Sequence, residues 1–352
     1  MTFQEKTFSV FDIIMKDMLL TLEDVNNEQI KRLLAPIVYL SVLMVVGIPG
    51  NLTVLMIYWK RYTKSVYRTI VWTLALTDLL FCTFAFPFNI GRIVRYYTFY
   101  NVWVCKCSTT LTLFYIFFSS HLILILSTHR FRQVCMPLKS QINLSSVRNW
   151  IAGGFVLAMI FDIPEFILQS VDQVELSHNI TGYVCAVSFK NSAFAEIYNG
   201  FSTFMFGTYA LTLFLMYFMI GRKMYVKREL RHGIITKDDD LSSKLTKIAI
   251  TVSIVFALSY LPLFTLKLLV DVIHQDSLST AEFSILKILE RSYAINHVAN
   301  PFIYAFYDQR FRFHFKRLIA LQLSVTTSGE SSGHDERAQN VDRTVEISLN
   351  TH

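Results

Sequence analysis

The sequence has little charge. Asp, Glu, Lys and Arg make up 17% of its 352 residues and hydrophobic residues make up 53%, whereas globular domains have about 25% charged and about 45–50% apolar residues. Charge is missing altogether from Leu33–Trp59 and from Ile197–Gly221. Either stretch is long enough to span a bilayer core ~30 Å thick, which needs about 20 apolar residues in a helix. The composition therefore excludes a soluble enzyme, a disulfide scaffold and a disordered chain.

The sequence also lacks the motifs of catalysis. It has no glycine-rich phosphate loop, and His129 and His297 show no paired metal-ligand spacing. The net charge of +7 does not indicate a nucleic-acid partner, because the charges flank the apolar runs. We therefore expect a protein that is not an enzyme and whose surroundings are membrane lipids.

Seven apolar runs are candidate membrane spans. They are continuously apolar and do not alternate, which excludes a β-barrel. The sequence predicts an all-α membrane protein with an N-terminal segment over 1–33 and a seven-transmembrane helix bundle over 34–307. The approximate limits of spans one to seven are 34–59, 69–91, 105–130, 149–170, 196–221, 246–270 and 284–307.

The distribution of Lys and Arg predicts the orientation. With the N-terminus outside the cell, 22 of the 33 basic residues lie in the cytoplasmic segments and eight lie on the outer side. Cytoplasmic loops of membrane proteins carry an excess of these residues. We therefore expect a multi-pass plasma-membrane protein with an extracellular N-terminus.

Polar groups are costly inside a membrane span and mark function by default. The landmarks along the spans are Asn51 after Gly50, Asp78, Arg130 between His129 and Phe131, Trp150, Phe256, Pro262 and Asn300-Pro301-Phe302-Ile303-Tyr304. Their order and spacing resembles the rhodopsin-like (class A) G-protein-coupled receptors over about 34–319. The chain departs from the family pattern where His129 replaces an acid, Tyr260 a tryptophan and Tyr209 a proline.

The resemblance implies a receptor that signals by changing shape. Ligand favours a conformer with span six moved outward, and that conformer binds a heterotrimeric G protein. Arg130 faces the G-protein cavity, and Pro262 lets span six bend because it lacks an amide N–H. The residues implied in this switch are His129, Arg130, Phe131, Tyr217, Phe256, Tyr260, Pro262, Pro301 and Tyr304.

The resemblance also implies a disulfide and a cation site. Cys105 pairs in the family with Cys185 of the second outer loop, and Cys107 is a competitor close by in sequence. The site would hold an allosteric sodium ion beside Asp78, because oxygen ligands suit a hard cation and one carboxylate balances its single charge. The alternative is an Asp78 that is neutralised by burial. No other cofactor or metal is predicted. The residues that match the sodium pocket are Asn51, Asp78, Ser119, Asn296 and Asn300.

The end of the chain is first basic and aromatic, then polar. The pattern over 308–319 predicts a short amphipathic helix at the membrane surface, followed by a disordered cytoplasmic tail over 320–352. Asn179 in the second outer loop is the predicted glycosylation site. Candidate sites for a receptor kinase, which would recruit arrestin, are Thr326, Thr327, Ser328, Ser331 and Ser332.

The sequence excludes two classes of ligand, amines and retinal. Thr112 stands where amine receptors of the family carry an aspartate, and Ala294 stands where opsins carry the retinal lysine. The remaining cavity has an apolar floor and a charged mouth, which favours a neuropeptide. The alternative for Lys267 and Glu290 is a mutual salt bridge that closes the bundle. The predicted cavity residues are Phe88, Arg92, Thr112, Ile116, Leu263, Phe264, Lys267 and Glu290.

Three other functions stay open at this point. A receptor for a lipid or a small organic ligand fits the same cavity. A seven-helix scavenger that no longer signals fits the unusual His129 and Tyr260. A transporter fits least, because transporters show internal repeats and broken helices and the sequence shows no repeat.

Overall fold

The computed structural model describes residues 20–176, 179–187, 192–230, 237–269, 272–273 and 277–328. In that part of the chain, six helices are long and apolar enough to cross a membrane, which confirms a helical membrane protein. Spans one to six correspond to α2, α3 with α4, α5, α6, α7 and α8. The helices are α1 Leu22–Arg32, α2 Leu34–Arg61, α3 Val66–Leu80, α4 Phe86–Val94, α5 Val102–Cys135, α6 Leu144–Leu168, α7 Ser192–Leu230, α8 Lys237–Leu268, α9 Thr280–Leu289, α10 Asn296–Tyr307 and α11 Gln309–Ser328.

Span three is the centre of the bundle. It packs against spans two, four, five and six, and it is buried on every side along most of its length. Hydroxyl side chains are tolerated there because they bond to their own helix: Ser120 donates to the carbonyl of Ile116 at 2.7 Å, and Ser127 to that of Ile123 at 2.9 Å. The interior therefore holds polar side chains that remain satisfied.

Span two contains a π-helical turn at Phe81–Ala85. The amide of Phe86 donates to the carbonyl of Phe81, five residues earlier, just before Pro87 near the start of α4. Such a turn inserts a residue and rotates the helix face that follows it. As a result Asn89 faces span three, where its Nδ2 donates to Oγ1 of Thr112 at 3.1 Å.

The region of the predicted seventh span is divided. A 3₁₀ turn at Ser292–Ile295 separates α9 from α10. The α10 helix packs closely on spans one and two, because Gly47 has no side chain. A Cβ at Gly47 would lie 2.6 Å from Sγ of Cys82 in span two and 3.0 Å from Cγ2 of Val298 in α10.

The segment between spans four and five contains two strands, which the prediction of an all-α protein did not include. The second outer loop forms an antiparallel hairpin of β1 Gln169–Glu175 and β2 Thr181–Val187, with Val171 opposite Cys185. The second strand is rich in β-branched and aromatic residues, with Thr181, Tyr183, Val184 and Val187, and these suit a pleated, half-buried surface.

A short helix precedes span one on the same side. A capping box between Thr21 and Asp24 starts α1. Asn26 then joins α1 to the first outer loop, because its Nδ2 donates to the carbonyl of Val94 at 3.0 Å and its Oδ1 accepts from the amide of Tyr97 at 2.9 Å.

Residues from Gln309 onward form a second compact unit. Its helix α11 begins within one residue of the predicted amphipathic segment and continues to Ser328, beyond the residue at which the tail was predicted to begin. Leucine, alanine and glutamine at 318–322 are strong helix formers, and this explains the extension. The rest of the predicted tail lies outside the described residues.

Candidate functional site

A buried polar cluster lies at the middle of the bundle. Oδ1 of Asp78 in span two accepts a hydrogen bond from Nδ1 of His297 at 2.7 Å, and its Oδ2 accepts one from Nδ2 of Asn300 at 2.7 Å. All three side chains are fully enclosed. Two short polar contacts therefore connect span two to α10.

The other predicted sodium-pocket residues border this cluster. Nδ2 of Asn51 donates to the carbonyl of His297 at 2.9 Å. Nδ2 of Asn296 donates to Oγ of Ser119 at 3.2 Å and to the hydroxyl of Tyr260 at 3.1 Å. The five predicted residues thus belong to one network, which also includes Tyr260 and His297.

Sequence reasoning placed His297 among core polar residues and gave it no role. Its ring stacks on Phe81 with centroids 3.9 Å apart and 15° between the planes. A histidine directly after Asn296 and three residues before Asn300, on the helix face that meets Asp78, was the available signal.

The inner end of span three carries the predicted switch residues. Arg130 is buried, donates from Nη1 to Oε1 of Gln133 at 2.6 Å, and lies over the ring of Tyr67 at 4.9 Å. Within the described ranges it forms no ion pair. His129 is also buried, and its Nδ1 has no hydrogen-bond partner there. The arginine is therefore held by an amide of its own helix and by an aromatic ring.

Tyr217 joins three spans near this end. Its hydroxyl lies 2.6 Å from Oγ of Ser127 in span three, and it accepts from Oγ of Ser253 in span six at 3.4 Å. Deeper in the bundle, Phe256 contacts Tyr260 edge-on with centroids 4.7 Å apart. Pro262 lies inside the same helix, so the three predicted switch residues Phe256, Tyr260 and Pro262 all belong to span six.

The place of the missing span-five proline is filled by a polar contact. The hydroxyl of Tyr209 lies 2.8 Å from Nε2 of His121, and Nδ1 of that ring lies 2.8 Å from the carbonyl of Phe117. Because a ring nitrogen next to a carbonyl oxygen must donate, Nε2 accepts from the tyrosine when the ring is neutral. This buried pair between spans three and five was missed, since Tyr209 was noted only as the replacement of a proline and His121 belongs to no family motif.

The outer disulfide is confirmed. Cys105 and Cys185 are bonded with an S–S distance of 2.02 Å, and Cys107 is free and exposed. Nη2 of Arg92 donates to the carbonyl of Cys185 at 3.4 Å. The bond anchors β2 to the outer end of span three, so the hairpin is fixed beside the predicted cavity.

The predicted cavity floor is only partly brought together. Thr112 and Ile116 are buried on span three, and Phe264 stacks on Phe206 with centroids 4.7 Å apart. Leu263 is half-buried, whereas Phe88 is exposed. The π-helical turn explains the position of Phe88, because it moves the inward face of α4 by one residue.

The alternative of a Lys267–Glu290 salt bridge is wrong. Glu290 pairs with Nζ of Lys287 at 2.8 Å and with Nη1 of Arg291 at 3.3 Å. Lys267 lies with its Nζ 5.8 Å from the ring centroid of Tyr198 and forms no ion pair with a residue that the structure describes. Glu290 has closer bases on its own segment, and the carboxyl group that interacts with Lys267 over a longer distance is that of Asp162.

Two groups of predicted modification sites have different positions. Asn179 is exposed in the turn between β1 and β2 and has φ 58°, a left-handed conformation that asparagine adopts more readily than most residues. Thr326, Thr327 and Ser328 end α11, while Ser331 and Ser332 lie outside the described residues.

Comparison with known proteins gives a consistent picture. The family model described as 7 transmembrane receptor (rhodopsin family) matches residues 50–304. Neuropeptide FF receptor 2 of Rattus norvegicus is 27% identical over 76% of this chain and 68% of its own length. Type-1 angiotensin II receptor A of Xenopus laevis is 26% identical over 81% of this chain and 78% of its own length. Bombesin receptor subtype-3 of Ovis aries is 24% identical over 83% of this chain and 76% of its own length.

Proposed function

Because the chain belongs to the rhodopsin family of seven-transmembrane receptors, we propose that it is a peptide receptor that activates a heterotrimeric G protein. The peptide assignment depends on one observation above all: Lys267 is a half-buried cation with no ion pair among the described residues, above an apolar floor. A peptide carboxylate would supply a direct ion-pair partner, and the apolar side chains of the peptide would cover the floor. The relatives' names, which refer to neuropeptide FF, angiotensin II and bombesin, support this assignment.

The proposal includes the complete topology. We take α9, the 3₁₀ turn and α10 together as the seventh span, and the basic, aromatic start of α11 as the helix that lies along the membrane surface. The excess of Lys and Arg in the segments assigned to the cytoplasm supports an outer N-terminus. The Cys105–Cys185 disulfide supports the same orientation, because such bonds persist in an oxidising compartment.

The proposed mechanism is a shift between two conformers. Ligand at the outer cavity favours the conformer in which span six bends at Pro262 and moves outward. That movement would separate Ser253 from Tyr217, whose contact is already long at 3.4 Å. Arg130 would then be free to face the G protein.

Two modifications complete the proposal. The exposed Asn179 would carry a glycan. The serines and threonines at 326–332 would be phosphorylated by a receptor kinase and would then recruit arrestin.

The experiment that tests the ligand class is a screen on the full chain in cells. Peptides with free and with amidated C-termini are compared with a lipid library, using second-messenger and arrestin reporters. We expect a response to a peptide that carries a carboxylate. Lys267→Ala should weaken that response about tenfold or more, the loss of one hydrogen bond to a charged group, whereas the matched Lys267→Arg variant should retain it.

Other outcomes of the screen contradict the proposal in distinct ways. A response only to lipids identifies the lipid alternative. Peptide uptake without G-protein activation identifies a scavenger, and solute flux identifies a transporter. Equal loss in Lys267→Ala and Lys267→Arg would show that the ammonium does not bind the ligand as a charge.

A further inference from the structure

The family places a sodium ion beside the carboxylate that Asp78 provides, and the donors around this carboxylate decide whether the ion fits. Each of its oxygens already accepts a hydrogen bond at 2.7 Å, one from His297 and one from Asn300. Both donors are fully enclosed. A cation that coordinates this carboxylate must displace them.

The imidazole of His297 is the larger obstacle, because its neighbours hold it in place. One face stacks on Phe81, and Nε2 lies 3.4 Å from the hydroxyl of Tyr260. The backbone carbonyl of His297 accepts from Asn51. Turning the ring away from Asp78 would break the short contact and require space that this packing does not offer.

Two neutral oxygens are left in the network. Oδ1 of Asn51 and Oδ1 of Asn296 are buried without a hydrogen-bond partner among the described residues. Neutral oxygens alone cannot balance the charge of a buried ion, and a buried water molecule satisfies such atoms. They would become cation ligands only if the carboxylate were exposed to the same space.

We propose that His297 takes the place of the sodium ion, so that this receptor does not bind sodium at Asp78. The side chain that joins span two to α10 is then part of the protein and does not depend on the ionic medium. The inference rests on family membership and does not depend on the peptide ligand or on G-protein coupling.

Thermal unfolding of the purified full-length receptor tests this inference without any ligand. The Tm is measured in sodium chloride and in choline chloride at equal ionic strength, for the wild type, His297→Ser, and His297→Ser combined with Asp78→Asn. The wild type should unfold at the same temperature in both salts. His297→Ser opens the space beside the carboxylate, and its Tm should be higher in sodium by about 2 °C or more. The double variant should lose that difference.

The wild type and Asp78→Asn can together overturn the proposal, even if the His297 variants fail to fold. A Tm that is higher in sodium than in choline, and a difference that Asp78→Asn removes, would show that the ion binds despite His297. If folded His297→Ser is as insensitive to sodium as the wild type, the imidazole is not what excludes the ion. A general loss of stability in both salts would not mimic the expected result, because only the difference between the salts is compared.

Discussion

The bundle has two buried polar clusters, and they differ in what their hydrogen bonds connect. At the centre, the bonds of Asp78 connect span two to α10 through His297 and Asn300. At the inner end, Arg130 bonds to Gln133 three residues further along the same helix. The hydrogen bonds of Asp78 therefore join two helices, whereas the hydrogen bond of Arg130 stays within its own helix.

The two clusters also differ in how well the side chains of Asp78 and Arg130 are satisfied. Both carboxylate oxygens of Asp78 have donors at 2.7 Å. Nε of Arg130 and Nδ1 of His129 are buried without a hydrogen bond in the part of the chain that the structure describes. A buried polar atom without a partner costs about 1–3 kcal/mol. Arg130 is thus the less well satisfied of the two buried ionisable residues, and it lies at the end that our proposed mechanism opens.

The largest expected effect comes from removing the charged residue of each cluster in turn. Asp78→Ala leaves the donors of His297 and Asn300 without an acceptor, and breaking a buried pair in this way costs about 3–5 kcal/mol. Arg130→Met replaces a poorly paired charge with an apolar side chain of similar length, so the free energy of unfolding should be unchanged or slightly higher. Thermal unfolding of both purified variants measures the contrast.

A more conservative variant serves as the control for the central cluster. Asp78→Asn keeps the shape and one acceptor oxygen, so it should lose less stability than Asp78→Ala. If Arg130→Met destabilises the receptor as much as Asp78→Ala, the two clusters are equally important for stability and the comparison fails.

The sequence allowed much of this to be predicted, and the reasons differ between features. The spans were predicted from long charge-free runs, and the family was predicted from landmark residues at fixed spacing. The match to the family model confirms the family, and with it a receptor rather than an enzyme. The Cys105–Cys185 bond is likewise confirmed. Their signals are local or positional and do not depend on how side chains pack.

The missed features depend on packing between distant parts of the chain. The pair of His297 with Asp78 joins residues 219 positions apart, and no family motif includes a histidine there. The sequence did not show which base pairs with Glu290, because Lys267, Lys287 and Arg291 all carry the opposite charge. The structure pairs Glu290 with Lys287 and Arg291. The hairpin in the second outer loop was missed because no strand was considered once the composition had indicated helices.

Removing the disulfide between Cys105 and Cys185 should give the next largest loss of stability. It closes a loop with a sequence separation of 80, and such a bond stabilises a protein by about 2–4 kcal/mol. Replacing both Cys105 and Cys185 by serine should lower the Tm and the surface expression. The exposed Cys107 provides the control, because Cys107→Ser should change neither. A Tm that the double replacement leaves unaltered would show that the hairpin is held by its other contacts.

The smallest effect is expected at His129, next to Arg130. An acid at this position would hold the guanidinium in a charge-assisted pair and favour the closed bundle, but the ring nitrogen Nδ1 of His129 makes no hydrogen bond among the described residues. We therefore expect measurable G-protein activation without ligand. His129→Asp should lower it about tenfold, the effect of one hydrogen bond to a charged group. His129→Asn has a similar size without the charge and should leave basal signalling nearly as it is. Basal signalling equal to that of cells without the receptor, and unchanged by His129→Asp, would mean that the amide of Gln133 and the ring of Tyr67 restrain Arg130 sufficiently by themselves.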